Sequence, residues 1–289
     1  MKKTTYLVII SIITIICVIA GSIIHFGEMS LGWGFPWGFP WGASGDDKTL
    51  EKTVTLDEFS DMEIDLRAMD LTIERGDSYE LSYQCNKEIY VPTSGIVDRV
   101  LVVKQRHDRI GFNIGKAKCK MVLTVPEQAV INNIQISNDT GDVKLNNIEG
   151  DMLTLDIDTG DLKIEGSTFN KTDIDNDVGD IKLTACSLGD CNIENNTGDI
   201  KLSDCSFGRP DGDVHIKNDT GDVVVEGCED LYLYETDFST DIGGITVNGN
   251  NIKGKHYSEK AMLESNLDNI SRFTISTDIG EIVVSQRQN

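Results

Sequence analysis

A glycine-aspartate turn recurs along this chain at a nearly constant spacing, and this repeat constrains the fold more than any other feature. Near copies of one octapeptide begin at Asn138, Ile157, Asn176, Asn195 and Asn218. The glycines of the turn are Gly141, Gly160, Gly179, Gly198, Gly221, Gly243 and Gly280, and the first four lie 19 residues apart. Because such a period is typical of solenoids, the sequence predicts an all-β fold, a single β-solenoid of about 19-residue coils.

Apolar residues occupy fixed columns relative to these glycines. Two residues after the glycine stand Val143, Leu162, Ile181, Ile200 and Val223, and four residues after it stand Leu145, Ile164, Leu183, Leu202 and Val225. Polar residues alternate with them, which is the pattern of a strand with one buried face. Further predicted core columns are Phe169, Leu188 and Phe207, and Leu155, Ile174 and Ile193.

The coil length predicts how far the solenoid extends. Roughly eleven coils fit between Met62 and Val284, which predicts a stack about 50 Å long. The 37-residue gap between the last two glycines predicts one degenerate coil around Tyr257 to Leu267. We interpret Glu63 to Pro126 as atypical opening coils, and the C-terminal EIVVSQRQN as a modest polar cap.

An apolar segment near the N-terminus predicts a transmembrane helix. Residues 6–26 contain a run of 19 uncharged residues, long enough as a helix for the roughly 30 Å hydrocarbon layer. Two lysines precede this anchor, so the positive-inside rule leaves residues 1–5 as a cytoplasmic stub and residues 48–289 outside. The alternative is a signal peptide with small residues at Val18 to Ala20 before its cleavage site.

Residues 27–47 form a linker rich in Trp, Gly and Pro between the predicted anchor and the solenoid. A tandem WGFP unit places Trp33, Trp37 and Trp41 four residues apart. The prolines exclude a helix, and aromatic rings just outside a span favour the membrane interface. We interpret the segment as a semi-rigid juxtamembrane spacer, with docking to a partner membrane protein as the alternative.

Several strand-like segments resemble a known bacterial family. These segments are EIDL, DLTIERGD, VLVVKQ and MVLTVPEQAVINNIQISNDTGDVKL. They are similar to the β-strand-repeat domain of unknown function named "putative adhesin", whose members are often anchored by one N-terminal span and include products of envelope-stress operons. The resemblance covers about Thr49 to Gln286. It implies a β-solenoid at the cell surface and transfers no catalytic residue.

The residue after each glycine forms a column of carboxylates. Its members are Asp142, Asp161, Asp180, Asp199 and Asp222. Stacked about 5 Å apart, their like charges need compensation from calcium or from a parallel column of lysines. These lysines are Lys144, Lys163, Lys182 and Lys201. Since neither a nine-residue glycine-rich period nor an EF-hand loop occurs, we favour a solvated ion-pair lattice, with calcium as the alternative.

The turn motif also contains three glycosylation sequons, at Asn138, Asn195 and Asn218. Sequons matter only in a eukaryotic secretory host. Asn or Asp before the glycine tolerates positive φ and hydrogen-bonds the turn backbone. We therefore interpret these three asparagines as turn residues.

A catalytic site is not expected. The histidines, at positions 25, 107, 215 and 256, are scattered, and no motif for a serine nucleophile, a zinc-binding helix or a phosphate loop occurs. Two irregular segments interrupt the repeat, Phe207 to His215 and Leu231 to Phe238. Loop extension or surface aromatic contacts explain them most simply. A carbohydrate-active β-helix enzyme with carboxylates near Asp211 and Asp213 is the alternative.

Six cysteines follow the predicted anchor: Cys85, Cys119, Cys186, Cys191, Cys205 and Cys228. Cys186, Cys205 and Cys228 share one column and predict a buried ladder of sulfur atoms. A disulfide between Cys186 and Cys205 would be strained, because in-register stacking holds Cβ atoms farther apart than a disulfide needs. The other three cysteines have no evident partner in the sequence.

These observations predict a non-catalytic, single-pass cell-membrane protein with an adhesin-like or envelope-stress-associated binding or scaffold role. No residue is assigned to catalysis, to a cofactor or to a metal. The net charge of -22 argues against nucleic acid as a partner. The partners that remain are the membrane through the N-terminal helix, a cell-wall polymer or membrane protein, and calcium. The alternatives are an extracytoplasmic carbohydrate-active enzyme and a calcium-dependent surface binding module.

Overall fold

The computed structural model describes residues 49–106, 118–207, 212–228, 231–260 and 271–286. They belong to the second of two compact units of the chain, Asp47–Asn289. The predicted anchor and linker lie outside the described residues. Within the described ranges, no helix is long and apolar enough to cross a membrane.

Short β-strands dominate this unit and form two sheets around one hydrophobic core. In chain order they are β1 (Leu50–Thr55), β2 (Asp61–Leu66), β3 (Asp70–Gly76), β4 (Glu80–Cys85), β5 (Thr93–Val97), β6 (Val100–Lys104), β7 (Cys119–Pro126), β8 (Asn133–Asn138), β9 (Val143–Asn146), β10 (Glu149–Thr159), β11 (Leu162–Glu165), β12 (Thr168–Val178), β13 (Ile181–Thr184), β14 (Ser187–Thr197), β15 (Ile200–Ser203), β16 (Val214–Thr220), β17 (Val223–Cys228), β18 (Glu235–Ile242), β19 (Ile245–Val247), β20 (Asn250–Ile252), β21 (His256–Glu259), β22 (Arg272–Ile279) and β23 (Ile282–Gln286). Two 3-10 turns lie at Glu88–Tyr90 and Leu231–Leu233.

Each sequence repeat forms one coil of a solenoid. A strand of the sheet that we call sheet B leads to the corner glycine, and a strand of the other, sheet A, follows it. Equivalent strands of neighbouring coils pair in parallel and in register, so that Leu162 lies between Val143 and Ile181. The predicted all-β solenoid and its buried columns are confirmed, because the apolar residues of every predicted column are buried.

The described part of the chain contains nine coils rather than the eleven predicted. Sheet A has 12 strands, of which β1, β4 and β20 pair antiparallel, and sheet B has 11, of which β5 and β21 do so. Nine parallel strands remain in each sheet, and at about 4.8 Å per coil they stack to about 40 Å. The estimate was too high because these antiparallel strands add to the edges of existing sheets.

The order of the coils in space differs from their order in the chain at both ends. The coil of β2 and β3 lies between that of β6 and β7 and that of β8 and β9. At the other end, β22 and β23 insert between the coil of β16 and β17 and that of β18 and β19. The interpretation of the C-terminal EIVVSQRQN as a cap is therefore wrong, because its strand β23 is internal. The atypical opening coils are confirmed.

Antiparallel strands cover both ends of the stack. Strands β4 and β1 extend sheet A at one end, where β5 extends sheet B. At the other end, β20 extends sheet A and β21 extends sheet B. The degenerate coil predicted around Tyr257 to Leu267 is therefore wrong where the structure describes it, because β21 pairs antiparallel with β18 at the edge of sheet B. Such caps leave the core coils without an open parallel edge.

The corner glycines bring the backbones of successive coils into contact. Gly179 has φ +149°, and a Cβ placed on it would overlap the carbonyl oxygen of Gly160 and lie 2.6 Å from its carbonyl carbon. The same contact recurs between successive coils from Gly141 to Gly221. In the spatial order of the coils, Gly280 then contacts Gly221, and Gly243 contacts Gly280. A larger residue at any of these seven glycines would have to push two coils apart, and the column begins at Met69, whose carbonyl Gly141 contacts.

We expect Gly179→Ala to destabilise the protein by about 3 kcal/mol or more, because the overlap involves rigid backbone at a positive φ. Gly95→Ala is the matched control, since a Cβ there meets nothing within 4 Å. Urea unfolding of both variants would measure the difference. Equal stability of the two variants would contradict the corner contact.

Candidate functional site

The column of aspartates at the corner is a hydrogen-bonded ladder. Each carboxylate accepts the backbone N–H of the aspartate in the next coil. The Oδ1-to-N distances are 3.1 Å from Asp142 to Asp161, 3.0 Å from Asp161 to Asp180, 2.9 Å from Asp180 to Asp199 and 2.9 Å from Asp199 to Asp222. Asp70 and Glu281 continue the ladder at its two ends. These carboxylates thus satisfy backbone donors that the turn leaves without a strand partner.

The predicted ion-pair lattice between this ladder and the lysine column is wrong. Lys163 pairs instead with Glu165 at 2.8 Å, and Lys201 pairs with Glu226 at 2.9 Å. These glutamates lie near the end of the sheet A strands, whereas the aspartates turn back toward the corner backbone. Among the described residues, no group of three or more His, Cys, Asp or Glu could hold a metal ion.

A second column lies inside the corner. Asn138, Asn176, Asn195 and Asn218 are buried. Their amide nitrogens donate to carbonyl oxygens of the glycine column, for example Asn218 to Gly198 at 2.9 Å. The sequon asparagines bond the corner backbone as expected. The turn position and positive φ expected for them are wrong, because Asn138, Asn195 and Asn218 lie in strands β8, β14 and β16 without a positive φ.

The outer face of sheet B carries a different set of acids, centred on Asp175. In-register pairing places Asp156 and Glu194 on either side of it in the neighbouring coils. Asp173 and Asp177 flank it on its own strand, on the same face. We call these five residues the acidic face. Partial burial and then the repulsion of its four neighbours raise the pKa of Asp175 above its ordinary value of 3.8.

The first irregular segment, Phe207 to His215, repeats the hydrogen bonding of the aspartate ladder in the part that the structure describes. Asp211 lies outside the described residues. The Asp213 carboxylate accepts the backbone N–H of Arg272 at 2.8 Å, and its own N–H donates to Asp190 at 3.0 Å. An open groove of about 280 Å³ also contains His215, whose ring contacts Thr274. Asp213 therefore has the same backbone role as the corner aspartates.

The second irregular segment contributes to the core rather than to the surface. Tyr234 and Phe238 are buried, and both pack edge-on against Phe273. The Tyr234 hydroxyl donates to the carbonyl oxygen of Phe207. Surface aromatic contacts are the sequence-based expectation here, and the difference arises because Tyr234 and Phe238 pack inward against Phe273. A cavity of about 220 Å³ remains between this cluster and Tyr257.

All six cysteines that the structure describes are buried and free. Cys186, Cys205 and Cys228 form the predicted sulfur ladder and donate to backbone carbonyl oxygens of their own coils. Burial raises the pKa of Cys191 to about 12. No pattern in the sequence pairs Cys85 with Cys119, whereas the register of β4 and β7 brings them directly opposite each other.

Parallel coils with glycine corners define an all-β, solenoid-like domain. The family model described as Toastrack DUF4097 matches residues 59–285, and the chain belongs to this family. The resemblance seen in the sequence to this bacterial adhesin-like domain of unknown function is thereby confirmed.

The chain is similar to several solved structures at low sequence identity. One is a "putative cell adhesion protein" from Clostridium sporogenes, with 13% identity, 83% of this chain and 100% of that chain covered, and a TM-score of 0.38. Another is a "putative adhesin" from Bacteroides fragilis, with 14% identity, coverage of 82% and 96%, and a TM-score of 0.40. A "putative lipid binding protein" from Parabacteroides distasonis has 11% identity, coverage of 83% and 98%, and a TM-score of 0.29. No curated protein matches the chain.

The ladder predicts that Asp180 is needed for its oxygen more than for its charge. We expect Asp180→Ala to lower the free energy of unfolding by about 1 kcal/mol, because the N–H of Asp199 loses its acceptor. Asp180→Asn keeps an amide oxygen in the same place and should lose less. Chemical denaturation of both variants tests this, and an asparagine as costly as alanine would show that the charge itself matters.

The raised pKa of Asp175 predicts a stability that depends on pH. Since the folded state disfavours its ionised form, its contribution to stability is largest below pH 3.8 and falls as pH rises through its folded pKa. Asp175→Asn should therefore stabilise the protein by about 0.5 kcal/mol at pH 7 and by nothing at pH 3. Denaturation at both pH values measures this, with Asp57→Asn, outside the acidic face, as the control. A gain at pH 3 as large as that at pH 7 would contradict it.

Proposed function

We propose that the chain is a non-catalytic binding protein at the bacterial cell surface, anchored by residues 6–26, and that the acidic face binds a cationic partner. The observation that carries this proposal is the concentration of five carboxylates around Asp175. The surface location rests on the predicted anchor and on the family resemblance.

The acidic face differs from the corner ladder in what its carboxylates do. In the ladder each Oδ1 is occupied by a backbone N–H of the next coil. On the acidic face, Asp173 and Asp177 accept bonds from side-chain amides, of Asn192 and Asn196. Within the described ranges, the side-chain carboxylate of the central Asp175 has no hydrogen-bond partner, so its charge is available to a ligand.

Repulsion within the acidic face favours binding of positive charge. Its three central carboxylates stack at the coil spacing of about 4.8 Å, which raises the free energy of the unliganded state. A basic peptide or a polymer bearing amines would relieve this repulsion along several coils at once. Lys217 marks one boundary of the face, because it lies beside Glu194 and pairs with Asp219 at 3.2 Å.

The corner ladder and the groove at Asp213 support a binding role over hydrolysis. A glycosidase needs two carboxylates of different pKa on either side of a substrate. Asp213 and Asp190 are both hydrogen-bonded to backbone N–H groups of the next coil. The geometry of both residues therefore repeats that of the corner instead of forming a distinct acid and base.

Binding of a fluorescent octalysine peptide to the purified full-length protein tests the proposal. We expect the triple variant Asp156→Asn, Asp175→Asn, Glu194→Gln to weaken binding about tenfold, and added salt to weaken the binding of the wild type.

The matched control removes the same charge from one column of sheet A, with Glu74→Gln, Glu165→Gln and Glu226→Gln. It should change the affinity less than twofold. Equal losses in both variants would show that net charge alone attracts the peptide, and would refute a specific acidic face. Turnover of cell-wall polysaccharide by the wild type would refute the non-catalytic role.

A further inference from the structure

Cys85 and Cys119 face each other across an antiparallel strand pair at the end of the stack. Strand β4 carries Cys85 and β7 carries Cys119, and the register places the two residues directly opposite. Both are buried, with Cys85 fully buried and Cys119 4% exposed. The two thiols interact with each other, and Cys85 Sγ also donates to the carbonyl oxygen of Tyr90 at 3.6 Å.

The hydrogen bonds around this pair show which kind of antiparallel site it occupies. The next pair along the strands bonds through its backbone, with Asn86 N donating to the carbonyl of Lys118 at 3.3 Å. Because bonded and non-bonded pairs alternate, Cys85 and Cys119 form a non-hydrogen-bonded pair. On the other side of β4, the N–H of Leu56 donates to the carbonyl oxygen of Tyr79, so the backbone of Tyr79 faces β1. Every second residue of β4 faces the same way, and the backbone of Cys85 therefore points to β1 and away from β7.

This kind of site has the geometry that a disulfide needs. Opposite residues of a non-hydrogen-bonded pair have Cα atoms about 4.5 Å apart, within the range of about 4.4 to 6.8 Å found for disulfides. Cys186 and Cys205 also interact with each other, but they stack in successive parallel coils, where in-register pairing holds the Cβ atoms farther apart than a disulfide needs.

Cys119 is the thiol of the pair that a reagent can reach. It lines an open cleft of about 800 Å³ together with Tyr90, Lys118 and Lys120. The hydrogen bond from Cys85 lowers the pKa of Cys119, and the nearby charge of Lys87 acts in the same direction. Interaction with the Cys119 thiol and then burial raise the pKa of Cys85, whose Sγ donates to the carbonyl oxygen of Tyr90 at 3.6 Å. Cys119 is therefore the attacking sulfur and Cys85 the resolving one.

We propose that Cys85 and Cys119 form a reversible cross-strand disulfide by exchange with a low-molecular-weight disulfide. The Cys119 thiolate attacks one sulfur of the reagent, which breaks the reagent's S–S bond, forms a mixed disulfide and releases one thiolate. Cys85 then loses its proton to solvent and attacks the Cys119 sulfur, displacing the second thiolate. Two electrons pass from the cysteine pair to the reagent, and its two thiolates take up the two protons.

The disulfide would tie the cap of the solenoid to its first coil. Strand β4 joins β1 to β7, so the bond would connect the antiparallel cap of sheet A covalently to the outermost parallel strand. It would also close a loop that contains β5 and β6, the hairpin at the same end of sheet B. The new site is thus a modification site that would cross-link this end of the stack.

Oxidised glutathione added to the full-length protein tests the proposal. After equilibration, free thiols are alkylated under denaturing conditions and mapped by mass spectrometry of peptides. We expect the peptides of Cys85 and Cys119 to be joined with loss of two hydrogens, while the cysteines at positions 186, 191, 205 and 228 stay alkylated. The Tm of the wild type should rise by several degrees on oxidation.

Cys85→Ser removes the resolving thiol and should accumulate a mixed disulfide between glutathione and Cys119, with no rise in Tm. The control variant Cys186→Ser, Cys205→Ser should still form the disulfide. If both Cys85 and Cys119 remain alkylated in the wild type, or if Cys186 and Cys205 are joined in their place, the proposal is wrong. The wild-type map decides this even if a serine variant does not fold.

Discussion

The contact between glycine backbones at the corner is the constraint on which the rest of the structure depends. Each coil lies so close to the next that a Cβ on Gly179 would overlap Gly160. This proximity leaves backbone N–H and C=O groups at the turn without strand partners, and buried backbone groups need partners. The amide of Asn218 satisfies a glycine carbonyl from inside, and the carboxylate of Asp180 satisfies an N–H from outside. The repeated turn is therefore a requirement of stacking.

This requirement separates the acids of the protein into two kinds. Corner acids such as Asp180 accept hydrogen bonds from backbone N–H groups. Their side-chain oxygens are needed as acceptors, and the negative charge accompanies those oxygens. Acids on the outer face of sheet B, such as Asp175, stand where the strand geometry demands no carboxylate. Since strand pairing leaves the outward side chains of a sheet unconstrained, a cluster of like charges there costs stability. Stability does not explain this cluster, and this is why we place the binding surface on it.

The repeat made the fold of the middle coils predictable from the sequence, because one period specifies the turn, the strand face and the core column together. The ends were not predictable to the same degree. The pairing of Cys85 with Cys119, and the insertion of β22 between β16 and β18, depend on contacts distant in the chain that carry no periodic signal. The role of Asp142 was also missed, because alternation shows which face a residue occupies but not which atom it bonds.

The two ends of the stack face the same physical problem and use different chemistry. An outermost coil has a neighbour on one side only, so the ladder contacts that hold the middle coils are halved there. At the far end, Phe273 packs against Tyr234 and Phe238 and fills the core under the antiparallel strands. At the near end, Cys85 and Cys119 lie between the cap and the first coil. Aromatic packing does not depend on redox conditions, whereas a thiol pair can be oxidised to a disulfide and reduced again by exchange. The stability of one end can therefore change with redox conditions while the repeated coils, and the acidic face that they carry, remain the same.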